Sequence, residues 1–172
     1  MPVTSIARPT DTPLARLTAP ELFLITSTRL WVAPYRHHPS VALPDWQEGF
    51  ASAQLDQRAT ASFDTLIRIV AASSRSALDI RWHCCPHLGE AESFLLLCLA
   101  LWQRKRFNES LAFVANWLSP PAARVAIDPG ERLAVSLLRA GLIVPFGGPE
   151  NQNPGSQDVV VETLERGSRL VH

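Results

Sequence analysis

Residues 83–87 read His-Cys-Cys-Pro-His, the densest group of nucleophilic and metal-ligating side chains in the sequence. Imidazole and thiolate donors suit zinc or copper(I), and Cys84 and His87 stand at a workable chelate spacing. Cys84, Cys85 and His87 are therefore the candidate metal ligands, with His83 a further donor, and zinc is the cofactor they would take. Against this, four donors packed into five residues diverge around a single ion. Structural zinc sites draw their second pair of ligands from a distant segment, which here could come only from His37 and His38.

Three other readings use the same residues. Cys84 and Cys85 lie just before a helix N-terminus, where the helix dipole and nearby imidazoles favour a thiolate, although adjacent cysteines are not the Cys-x-x-Cys of thiol oxidoreductases. Cys85-Pro86 is similar to the short Cys-Pro motifs by which some regulators sense haem. The reading the residue types favour is chemically silent: a tight turn in which Pro86 and Gly89 shape the start of the next helix. On that reading no cofactor is expected. Cys98 falls on an apolar helical stripe and reads as a small buried hydrophobe. An odd total of three cysteines makes no disulfide framework and fits a reducing compartment.

The elements that must position this segment are helical. Thr18-Ala-Pro-Glu21 forms a capping box that opens a helix over 20–32, and Pro34 disfavours its continuation. Asp45-Trp-Gln-Glu48 caps a second helix running toward Leu55. A third covers 57–72, with Phe63, Leu66, Ile67 and Val70 on one stripe. Leu78, Ile80 and Trp82 alternate with polar residues, the period of one short extended segment. Residues 89–106 are apolar around most of a helical circumference and belong in the middle of a bundle, opened by Glu90 and Glu92 where acids suit the helix dipole. Phe107, Leu111, Val114 and Leu118 make the next stripe, closed by Pro120 and Pro121. Asp128-Pro-Gly-Glu131 offers a cap residue, an N1 proline and an N3 glutamate, so the last helix is expected to start there and stop at Gly141.

The hairpin from Phe94 to Leu118 resembles one tetratricopeptide-type unit. Phe94, Leu97, Cys98 and Leu101, then Phe107, Ser110 and Val114, stand at that family's spacing, while Trp117 occupies a position where the family has a small residue. Such units stack on neighbours, and the sequence holds no second copy.

The fold expected is mainly α, a compact bundle of about six helices with at most one short extended segment and mobile N- and C-terminal tails. Residues 1–17 are expected to be a flexible arm, 18–146 one helical domain, and 147–172 a linker-like tail whose last residues form a frayed helix or a docked strand. Sixteen Lys and Arg balance sixteen Asp and Glu, so no electrostatic footprint marks a nucleic-acid or anionic-membrane partner. The basic run Arg104 to Arg106 reads as a solvated face at a helix end. The start of the sequence has no apolar stretch behind a basic cluster, and Phe94–Leu101 is too short to span a bilayer, so the cytosol is the expected compartment.

The five tryptophans, at 31, 46, 82, 102 and 117, all fall in periodic segments and read mostly as core or interface anchors. No nucleotide loop or catalytic triad order is present. The function expected is a non-catalytic adaptor or regulatory subunit that binds another protein, or a second copy, through a helical aromatic-lined surface carrying Trp102, Phe107 and Trp117. The alternative is a metal- or thiol-dependent sensor or enzyme centred on residues 83–87.

Overall fold

The computed structural model describes residues 7–36 and 42–146. The expectations for residues 147–172 and the ligand roles considered for His37 and His38 lie outside the described residues. Within them stand six α-helices and no strand: α1 (Ala19–Val32), α2 (Trp46–Ser52), α3 (Gln57–Ser73), α4 (Glu90–Gln103), α5 (Phe107–Trp117) and α6 (Pro120–Arg139). The fold is mainly α, as the sequence indicates. Two short 3-10 turns, Leu14–Arg16 and Ala33–Tyr35, flank α1.

Local chemistry sets most of the boundaries. The Thr18 backbone N–H donates to the Glu21 carboxylate at 2.8 Å, the Asp45 side chain accepts from Gln47 N, and Asp56 accepts from Ala59 N. At the other end of the fold, Gly141 takes φ +74°. Leu142 N–H then reaches Leu137 O at 2.8 Å and Gly141 N–H reaches Leu138 O at 3.0 Å, the paired bonds of a Schellman stop.

The bundle is built around α4. From Leu95 to Gln103 every residue of α4 is buried, because the helix packs against α1, α5 and α6 at once. The most extensive helix pairing is α3 with α6. A second centre joins α1, α2 and α3 through Phe23, Trp46, Phe50 and Phe63, with ring centroids 4.9 to 5.5 Å apart.

Three expectations are corrected. The last helix does not start at Asp128: α6 runs unbroken from Pro120 to Arg139, with Pro129 inside it. Ser119 is its N-cap, and Pro120 and Pro121 occupy the first two positions, where a missing N–H costs nothing. Pro129 does remove one bond to the Val125 carbonyl. Val125 is 61 % exposed, so water can take the released group.

The N-terminal arm is not loose throughout. Arg8 is buried, its guanidinium clasping Glu21 in two bonds of 2.7 Å while Ser93 Oγ donates to its carbonyl. Residues 11–14 pair with 86–88 through Asp11 N to Leu88 O, Leu88 N to Thr12 O and Leu14 N to Pro86 O, at 2.8 to 2.9 Å.

The alternating segment 78–82 is the one short extended segment the sequence indicates, an extended connector with no strand partner among the described residues. The basic run is not simply solvated either. Arg104 donates to the Ala100 and Val144 carbonyls and, with Arg106, covers the Phe146 ring.

Candidate functional site

The segment 83–87 is a turn gripped from below. Cys85 N–H closes it on Trp82 O at 2.9 Å. Arg29, only 2 % exposed, rises from α1 and donates to the carbonyls of Cys85 at 2.6 Å and His87 at 2.7 Å. Its remaining donors meet Glu92 at 2.7 and 2.8 Å. Glu92 also accepts from Arg81 N and Gly89 N, so one buried carboxylate ties α1, the turn and the start of α4 together. Gly89 is required there because a Cβ would lie 2.2 Å from the Asp79 carbonyl oxygen.

This network holds the backbone of the segment and leaves its side chains outward. Cys84 is exposed and Cys85 half-buried, both as free thiols, and the side chains of His83 and His87 are at the surface. Among the described residues no three His, Cys, Asp or Glu side chains gather where they could hold a metal ion. Cys84, Cys85, His87 and His83 are thus not brought together as a donor set. Cys98 lies in the core, where burial pushes its thiol up to about 12.

The three aromatic residues expected to form a partner surface separate. Trp102 is 3 % exposed and packs on Gly130 in the core, which corrects its assignment to a surface: α4 is enclosed on too many sides to present a side chain at that position. Phe107, at the start of α5, is half-buried against the core. Trp117, at the end of α5, does line a groove.

That groove has a volume of about 730 Å³ and lies between the C-terminal ends of α1 and α3, the connector 74–80 and the first turns of α4. Trp31 and Tyr35 form one wall, with ring centroids 5.2 Å apart, and Trp117, stacked on Phe94 at 5.7 Å, forms the other. Ile67, Val70, Ala71, Leu78 and Leu95 supply most of the apolar floor. The connector is tied to the end of α5 by Arg75 N–H to Trp117 O at 3.1 Å.

Among the described residues the charged side chains in the lining are two arginines, Arg36 and Arg68. Arg36 donates to the Ile80 and Leu78 carbonyls, and among the described residues it makes no ion pair with a carboxylate. Arg68 lies over the Trp31 ring and pairs with Asp64 at 2.8 Å. Burial pulls the Asp64 carboxyl upward, but hydrogen bonds from Arg68 and Trp31 and the Arg68 charge outweigh it and hold its pKa below the usual value. Trp31 Nε1 reaches Asp64 at 2.8 Å, so the same carboxylate locks the indole of the groove wall.

Sequence reasoning placed Trp117 at a surface but not Trp31 or Tyr35. The aromatic types were the available signal; the pairing of the end of α1 with the end of α5 was not. A second depression of about 700 Å³, between α3 and α6, carries both signs of charge, including Arg58, Asp128, Glu131 and Arg132, and offers no comparable apolar floor.

No protein-family model matches the chain, and neither a curated protein nor a solved structure matches it, so the tetratricopeptide likeness of the α4–α5 hairpin stays a local one. No helix among the described residues is long and apolar enough to cross a membrane.

Proposed function

We propose that this protein is a non-catalytic adaptor or regulatory subunit that binds a partner protein in the groove walled by Trp31, Tyr35 and Trp117. The single observation that carries this reading is the groove itself: about 730 Å³, apolar in its floor, aromatic on two sides, with arginine as its charged lining. Open grooves of this composition suit a short apolar segment, because aromatic walls bury much area at little conformational cost. Arginine at the rim favours a segment that also carries carboxylates.

Two bonds from Arg29, itself paired with Glu92, hold the backbone of the turn at 83–87. The metal or thiol alternative therefore rests on the exposure of Cys84 and its neighbours alone.

The test is a peptide-display selection on the full chain, repeated on Ala71→Arg. Ala71 is an exposed part of the groove lining, so arginine there fills the groove while leaving the core intact. Enriched peptides should be apolar and acidic and should fail to bind Ala71→Arg, whose melting temperature should match the parent. Selection of no peptides, or of peptides that bind both proteins alike, would overturn the reading.

A further inference from the structure

We infer that the groove is occupied by the chain's own residues 158–165, Asp-Val-Val-Val-Glu-Thr-Leu-Glu, which a partner must displace; this rests on the groove reading above and names its resident occupant.

Three observations converge. The first is chemistry. Residues 158–165 carry Val159, Val160, Val161 and Leu164 together with three carboxylates and no cation before Arg166, while the groove offers an apolar floor and two arginines. An apolar and acidic segment is the complement of that lining.

The second is the point at which the described chain ends. Gln103, at the C-terminal end of α4, donates to Leu142 O and accepts from Val144 N, both at 2.9 Å, and Arg104 donates to Val144 O. Phe146 then lies under the Arg104 and Arg106 guanidinium groups. The chain is thus pinned beside Gln103, while Leu95 on the same helix lines the groove. At 1.5 Å per residue these two positions on α4 are about 12 Å apart.

The third is tether length. Residues 147–157 include three glycines and two prolines and separate Phe146 from Asp158. Eleven residues have a fully extended reach of about 36 Å. That reach is about three times the axial separation of the two positions on α4, so the segment can return to the groove within one chain.

The experiment places a photo-crosslinking benzoylphenylalanine at Leu164 in the full chain, or at Val160 as a second probe, and maps the adducts by mass spectrometry. The expected result is adducts on groove residues between Ile67 and Leu78 or on Trp117, in a product of monomer mass, and their loss in Ala71→Arg. Adducts elsewhere, or none from either probe, would overturn the inference; so would groove adducts confined to a product of dimer mass, which would assign the occupant to a second copy. Failure here leaves the peptide selection untouched, because that experiment reads capture of an added segment. If the inference holds, Val160→Asp with Leu164→Asp raises the affinity of a selected peptide, and unchanged affinity would contradict it.

Discussion

The indole of Trp102 rests on the bare Cα of Gly130, so close that a Cβ at residue 130 would stand 2.4 Å from Cζ3 and 2.5 Å from Cη2. This contact sets how near α6 approaches α4, and it explains a glycine in mid-helix. Gly130→Ala should gain about 1 kcal/mol of helix propensity yet lose about 1 to 3 kcal/mol to the clash. The expected outcome is a lower melting temperature. A melt equal to or above the parent would show that the helices can separate freely at this crossing.

The same contact explains why the start of α6 was not legible. Asp128-Pro129-Gly130-Glu131 has the residue types of a helix start, and sequence alone cannot show that Gly130 serves an indole on another helix. Pro120 and Pro121 read equally as a stop and as N1 and N2. By contrast Thr18, Asp45 and Gly141 work within their own turns, and their boundaries were legible to within a residue or two. Glu21 and Glu92 were visible as helix-opening acids. Their partners Arg8 and Arg29 lie 13 and 63 residues away and leave no periodic trace. The groove was half legible for the same reason: Trp117 was singled out as a surface aromatic, but only tertiary packing sets it opposite Trp31.

Arg29 and Glu92 form a buried pair whose loss strands both a charge and two carbonyls. Arg29→Met should destabilise by about 3 to 5 kcal/mol, whereas Cys84→Ser, at an exposed position, should cost less than about 1 kcal/mol. Chemical denaturation of the two variants checks this. Thiol labelling adds a second reading: Cys84 should react at once in the parent, and Cys98, buried with its thiol pushed up to about 12, only on unfolding.

Asp64 gives a pH dependence of known sign. Its folded pKa lies below the unfolded value near 3.8, so its contribution is complete above that value and is lost as pH falls through the lower folded value. The Trp31 indole N–H signal should therefore hold its position from neutral pH to about 4 and shift below that, as the Asp64 bond is lost. Asp64→Asn should abolish this acid-range shift. A shift that persists in Asp64→Asn would assign it to another group.

Arg104 and Lys105, adjacent in sequence, should behave differently. Arg104→Ala removes bonds to Ala100 and Val144 and a cover from Phe146, at a cost of about 1 kcal/mol. Lys105 is exposed at φ +56°, so Lys105→Gly relieves backbone strain and should leave stability equal or slightly higher. Paired thermal melts decide it, and equal losses in both variants would mean that the segment after α4 is not held as described.

The central claim is that the groove walled by Trp31, Tyr35 and Trp117 is a binding surface. Its most direct test is calorimetric titration of a display-selected peptide into the parent, Ala71→Arg and Trp117→Ala. The account predicts a one-to-one complex in the parent, weakened at least about tenfold, or about 1.4 kcal/mol, in each variant at unchanged fold. Equal affinity in all three proteins would contradict it.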